Sequence, residues 1–189
     1  MTPVMATRAE YPLLTVGDFL AIDFGDQKAE LDNGVVRMMA GARARHNRVA
    51  LNIQLALAMR LRGSRCTPYG PDMGVRSRER SLRFPDVTVF CGHDDPEDDD
   101  ARFFDDPRVI FEVLSAGTAR SDLREKLDEY KGLSSLDTIV FVDIAAERLR
   151  IVQRTGPHGW NDDRHDAPVD LALPILNLVI PHHEIFARD

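Results

Sequence analysis

At 189 residues, with 43% hydrophobic and 29% charged side chains, the chain suits one globular domain that buries a substantial core without staples. No apolar run approaches the length that crosses a bilayer and the N-terminus carries no basic-then-apolar leader. With Cys66 and Cys91 too sparse for a zinc cage, the expectation is a cytoplasmic, reduced protein with two free thiols. The net charge of −7 argues against a protein that coats nucleic acid nonspecifically.

In chain order, residues 1–12 read as a disordered leader and residues 13–189 as a single domain without internal repeats. Thr15, with Asp18 three residues on, is a capping signature for a short helix through Ala21. Ala29–Met38 reads as a hairpin, because Asn33-Gly34 supplies the positive backbone angles of a tight turn. His46–Arg62 follows as a long helix ended by Gly63. Its apolar residues form two stripes, Val49, Ile53, Ala56 and Leu57 on one and Leu51, Leu55, Ala58 and Met59 on the other. That pattern predicts packing on more than one side.

Strands are expected near Met73–Arg78, Pro85–Phe90 and Val109–Ser115. The acidic segment Cys91–Pro107 between the last two reads as an exposed excursion. Ala119–Lys131 is a helix with Leu123, Leu127 and Tyr130 turned inward, stopped by Gly132. Thr138–Asp143 is an apolar strand, and Glu147–Gln153 alternates like its hairpin partner. After a polar loop around Gly156–Pro168, Leu171–Ile180 closes the core. The order of helix, three strands, helix, strand, behind an N-terminal hairpin, gives an α/β chain with a mixed sheet.

Charge is unevenly distributed. Arg37–Arg83 carries eleven arginines against Asp72 and Glu79, a net +9, whereas Phe84–Glu112 carries ten acids against Arg102 and Arg108, a net −8. A basic half can hold a phosphate backbone and an acidic stretch can hold metal, although solvated faces and an acidic loop around Asp94–Asp100 explain such runs equally well.

The segment Val109-Ile-Phe-Glu-Val-Leu-Ser115 is short and apolar on both alternating faces, so it reads as a central strand buried on both sides. Glu112 in its middle has to be hydrogen-bonded, protonated or bound to a cation. Asp86 heads the preceding strand, and Lys126 lies on the following helix. Two acids on neighbouring strands with a lysine beside them suit a divalent metal and a phosphodiester. The chain has three lysines (Lys28, Lys126 and Lys131) against 21 arginines, so a lysine retained at this place points to a need for an amine that can share its proton.

Pro85-Asp86 followed by Glu112-Val-Leu resembles the PD-(D/E)XK nuclease superfamily. The longer series Glu30-Leu-Asp-Asn-Gly34, His46, Pro85-Asp86-Val, Glu112-Val-Leu-Ser115, Thr118, Asp122, Lys126, Tyr130 and Val142-Asp143 is similar to the Uma-two-type restriction-endonuclease-like family. The resemblance implies a restriction-endonuclease-like core and a Mg2+ (or Mn2+) nuclease site acting on DNA. Leu114 stands where the simplest superfamily pattern has its lysine, and the resemblance maps that role onto Lys126. Asp86, Glu112 and the Val113 carbonyl would hold the metal, with Glu30 assisting. His46 would face phosphate or the metal's waters, and Arg43, Arg45, Arg76 and Arg78 are candidate backbone contacts. Many nucleases of this fold pair so that two sites face two strands, which makes a homodimer an expectation.

Each residue also has a structural alternative. Lys126 can pair with Asp122 on the helix surface, Asp86 can serve a turn, Glu112 can be satisfied by an arginine or a backbone donor, and Glu30 can face solvent. Tyr130 reads foremost as helix-to-sheet packing. At the level of the whole chain, the alternative to a metal-dependent endonuclease is a noncatalytic module on a nuclease-like fold that binds nucleic acid or protein. A metal-free domain in which Glu112 and Lys126 form a buried ion pair is a third possibility.

Overall fold

A computed structural model describes residues 12–115 and 120–188, so the expected leader falls almost wholly outside the described residues, as does Thr118. Helix α1 (Val16–Leu20) precedes the hairpin of β1 (Ala29–Asp32) and β2 (Val35–Met38), and helix α2 (Ala44–Arg60) comes next. Strands β3 (Cys66–Tyr69), β4 (Gly74–Arg78), β5 (Ser81–Arg83), β6 (Val87–Cys91), β7 (Phe103–Phe104) and β8 (Val109–Leu114) lead to helix α3 (Arg120–Lys131). Strands β9 (Thr138–Asp143), β10 (Arg148–Arg154), β11 (Trp160–Arg164), β12 (Leu171–Leu173) and β13 (Leu178–Ile180) and the short helix α4 (His182–Ile185) complete the chain.

The strands form a six-stranded sheet, β11-β10-β9-β8-β6-β3, a five-stranded sheet, β2-β1-β5-β4-β7, and the separate pair β12-β13. The β8 strand lies inside the larger sheet, parallel to β9 and antiparallel to β6. A parallel neighbour requires a crossover, and α3 supplies it. Alternate β8 residues then face opposite layers. Phe111 and Val113 pack with Val49, Ile53 and Leu57 of α2. Ile110 packs on the other face with Leu127 and Tyr130 of α3. The architecture is therefore the expected mixed α and β one.

Local chemistry explains the elements read correctly. Thr15 accepts from the Asp18 backbone while the Asp18 carboxylate accepts from Thr15, closing a capping box on α1. Asn33 and Gly34 take positive φ of 48° and 84° between β1 and β2. Gly34 also packs so tightly on Leu13 that a Cβ there would lie 2.6 Å from the Leu13 Cβ.

Several expectations are corrected. The strand at Gly74–Arg78 joins the hairpin sheet rather than the sheet holding Glu112. The acidic excursion is anchored by β7, which pairs with β4 and buries Phe104. The polar loop contains β11, whose exposed Asn161–Arg164 side chains gave no apolar alternation to detect. On α2 only the first stripe is buried. Leu51, Leu55 and Met59 stand 53%, 52% and 70% exposed, because one face of the helix meets the sheet and nothing among the described residues covers the other. Cys66 and Cys91 are not free thiols. They sit opposite each other in the β3–β6 register and form a disulfide, a pairing set by strand register and invisible in the spacing of the two residues. Among the described residues no helix is long and apolar enough to cross a membrane.

The split on α2 gives a direct stability test by urea unfolding. Leu57→Ala should cost about 2–5 kcal/mol, while Leu55→Ala should stay within about 0.5 kcal/mol of wild type. Thiol titration of protein denatured without reductant should find no reactive thiol. Two reactive thiols would show the strands to be unlinked.

Candidate active site

The C-terminal end of β8, the turn before β6 and the inner faces of α3 and β1 converge on one buried polar cluster. Glu112 projects from β8 on the α3 side and is 8% exposed. Its Oε1 accepts from Lys126 Nζ at 3.2 Å and from the Tyr130 hydroxyl at 2.7 Å. Lys126 and Tyr130 lie four residues apart on α3, and so share one helix face. The Lys126 ammonium also lies 3.7 Å from Glu30 Oε2 on β1. Lys126 is only 9% exposed, so its amine is directed between the sheets and not outward. The Asp122 side chain lies outside the described residues.

Asp86 approaches from the start of β6. Its Oδ2 accepts the Val113 backbone N–H at 2.7 Å, tying the turn to β8, and its Oδ1 lies 3.4 Å from His46 Nε2 in the first turn of α2. The Asp86 carboxylate raises the His46 imidazole above its usual pKa, against the opposing effect of burial. Burial pushes the Glu112 carboxyl up; Lys126 resists this and the nearby Asp86 charge adds to it. Burial and Glu112 push the Tyr130 phenol well above its usual value, which keeps it a hydrogen-bond donor.

Behind Glu30 stands a second buried group. Arg83 on β5 is 1% exposed and donates to Glu30 Oε1 at 2.8 Å, Asp32 Oδ1 at 2.6 Å and Glu129 Oε2 at 2.7 Å. Ser77 on β4 donates its hydroxyl to Glu129 Oε1. Burial works against the Arg83 charge, but Glu129, Glu30 and Asp32 outweigh it and raise the pKa of the guanidinium. Burial alone would raise the Asp32 carboxyl, but Arg83 and Arg37 hold it below its ordinary value. Because Arg83 takes Oε1, the other Glu30 oxygen is buried without a hydrogen bond, with Lys126 its neighbouring cation.

Asp86, Glu112, Lys126 and Glu30 are thus brought together, with His46 beside Asp86 and the Val113 backbone within the site. The four arginines expected to hold a phosphate backbone lie elsewhere or are engaged. Arg45 pairs with Glu147 at 3.1 Å, Arg76 pairs with Asp105, Arg78 donates to Asn33 at 3.3 Å, and Arg43 is exposed at the head of α2. Arg83, Asp32, Glu129 and Ser77 had no site role assigned from the sequence. Glu129 and Tyr130 follow Lys126 by three and four residues, the spacing that could have revealed them. Arg83 gave no such signal, since its partners come from β1 and α3, about 50 residues before it and 46 residues after it in the chain.

The donors suit a hard, oxygen-preferring cation. Among the described residues no three His, Cys, Asp or Glu side chains form a closed metal cage. Two carboxylates, the Val113 carbonyl and open positions are what Mg2+ uses when substrate and water complete its shell. Among the described residues Glu112 Oε2 accepts no hydrogen bond, and the mutual repulsion of Asp86 and Glu112 is what a cation would relieve. The residues present therefore fit such an ion.

The Uma2 family model, described as "Putative restriction endonuclease", matches residues 16–180. The chain belongs to this family. A crystal structure described as a putative nuclease of DUF820 from Anabaena variabilis superposes with a TM-score of 0.76 at 12% identity, covering 92% of this chain and 98% of that one. An uncharacterised protein of Synechocystis is 27% identical over 158 residues, 82% of this chain and 89% of its own length. Family and fold together place the chain among restriction-endonuclease-like proteins, as its motifs implied.

Arg83 offers a stability test independent of catalysis. Arg83→Met should destabilise by about 3–5 kcal/mol near neutral pH, because three buried carboxylates lose their cation. The Asp32 pKa is depressed in the folded state, so its contribution to wild-type stability is present above its unfolded value and lost as pH falls through the folded one. The variant lacks that contribution. Its deficit against wild type in thermal melts should therefore shrink on acidification.

Proposed function

We propose that this protein is a divalent-metal-dependent endonuclease that hydrolyses phosphodiester bonds in DNA. The observation that carries this reading is the Lys126 ammonium, set 3.2 Å from Glu112 and 3.7 Å from Glu30, with Asp86 tied to the strand of Glu112 through the Val113 N–H. The membership in a family described as restriction-endonuclease-like supports it.

Asp86, Glu112 and the Val113 carbonyl would hold Mg2+ or Mn2+. When bound, such an ion polarises the scissile phosphate and lowers the pKa of a bound water. Lys126 donates hydrogen bonds to the attacking water or to the phosphoryl oxygens, where negative charge develops. Glu30 Oε2, free of other hydrogen bonds, orients that amine and can accept from the water. Tyr130 holds Glu112 in place from behind. His46 adds a polar group at the mouth beside Asp86.

The same Glu112–Lys126 pair is what a noncatalytic, metal-free domain would need, so the two readings part only on metal and turnover. In plasmid-nicking assays with Mg2+ or Mn2+, Glu112→Ala and Lys126→Ala should each lower the cleavage rate by about 100-fold or more. Cleavage undiminished in both variants would sink the site assignment. Calorimetry separates the alternative: saturable Mn2+ uptake lost in Asp86→Ala supports the nuclease, and its absence from wild type supports the noncatalytic module.

A further inference from the structure

A large cavity opens beside Glu112, bordered by Leu114 at the end of the same strand. It measures about 790 Å³, against about 180 and 210 Å³ for two others, and lies between α3 and the β9–β11 end of the larger sheet. That volume falls in the range of pockets that take a nucleotide-sized ligand.

Sheet register places it. Glu112 pairs with Phe141 on β9, Phe141 pairs with Arg150 on β10, and Arg150 pairs with Arg164 on β11. Paired residues point to the same face, so these four side chains form one row on the α3 side. At about 4.8 Å per strand, the Arg150 and Arg164 backbones stand roughly 10 and 14 Å from that of Glu112. A second row runs beside it from Leu114 through Asp143 to Arg148. Arg124 of α3 borders the cavity, and Leu114 of β8 and Leu123 of α3, both half-buried, give it an apolar floor.

Charge selects the occupant. Four arginines line the cavity against Asp128 and Asp143, in a chain whose overall charge is −7. Arg150 lies 5.3 Å over the Phe141 ring and is held by Asp162 at 2.8 and 2.6 Å, so its guanidinium is fixed in direction. Arg148 pairs with an Asp166 that is itself 97% exposed, and Arg124 and Arg164 have no ion pair among the described residues. Arginines in a row beside apolar side chains match a single nucleic-acid strand, with phosphates along the cations and bases against the floor. The geometry points to this groove as the site that holds the strand running past the scissile phosphate. The inference rests on the nuclease reading for the direction of that strand, but its test does not require turnover.

The probe is a fluorescent oligodeoxythymidine about 20 nucleotides long, with anisotropy measured in EDTA across a salt series. Arg124→Ala/Arg164→Ala removes two exposed side chains and should weaken binding about ten-fold, lowering the slope of log affinity against log salt by about 1.4. Arg124→Lys/Arg164→Lys should restore most of the slope. Arg62→Ala/Arg80→Ala removes the same charge from other exposed positions and should leave the affinity near wild type. Unchanged binding in the first variant, equal loss in the Arg62/Arg80 control, or no binding by wild type would each overturn the proposal. Wild-type binding that depends on Arg124 and Arg164 in a protein that never cleaves would uphold the groove and discard the nuclease reading.

Discussion

The Lys126 ammonium is where the two sheets meet, 3.2 Å from Glu112 on the larger and 3.7 Å from Glu30 on the smaller. A buried amine costs several kcal/mol unless carboxylates and hydrogen bonds compensate it. Here each sheet supplies one carboxylate beside the amine. The five-stranded sheet is needed for this chemistry: it carries Glu30 and, through Ser77 and Arg83, fixes Glu129 on the same helix.

Buried polar groups of this density are a poor way to gain stability, because an apolar cluster of similar shape would serve as well or better. Their presence makes sense if position matters more than net energy. Arg83 occupies one oxygen of Glu30 and leaves the other for Lys126. Tyr130 and Lys126 converge on one oxygen of Glu112. Around the site Glu30, Asp32, Asp86, Glu112 and Glu129 outnumber the buried cations Lys126 and Arg83, with Arg37 and His46 at the edges. An excess of acid arranged around open oxygen atoms is the electrostatic state that a divalent ion would neutralise.

Much of the centre was legible in the sequence because it rests on local signals. An apolar strand interrupted by Glu112, a proline-led Asp86 and Lys126 on the next helix, in a chain with three lysines, identify the cluster without knowledge of the sheet. The Asn33-Gly34 turn and the Thr15 cap were equally local. What stayed hidden depends on register and on contacts distant in sequence. Arg83 looked like one more basic residue in a basic half, yet it is buried among three acids from β1 and α3. Cys66 and Cys91 acquire a partner only through strand pairing. The groove arginines at 124, 148, 150 and 164 come from α3, β10 and β11, outside the segment whose charge drew notice. The exposed α2 stripe shows the opposite failure, since apolar periodicity alone cannot tell which faces a protein covers.

The central claim is that Lys126 is clamped between Glu30 and Glu112 and senses the cation position beside Asp86. Its most direct test is the side-chain ammonium resonance of isotope-labelled lysine, in a chain with three lysines to assign. The account predicts one ammonium signal protected from exchange with water, lost in Lys126→Met, and shifted by Mg2+ in wild type but not in Asp86→Ala. A Lys126 amine that exchanges as fast as that of exposed Lys28 and ignores Mg2+ would contradict it.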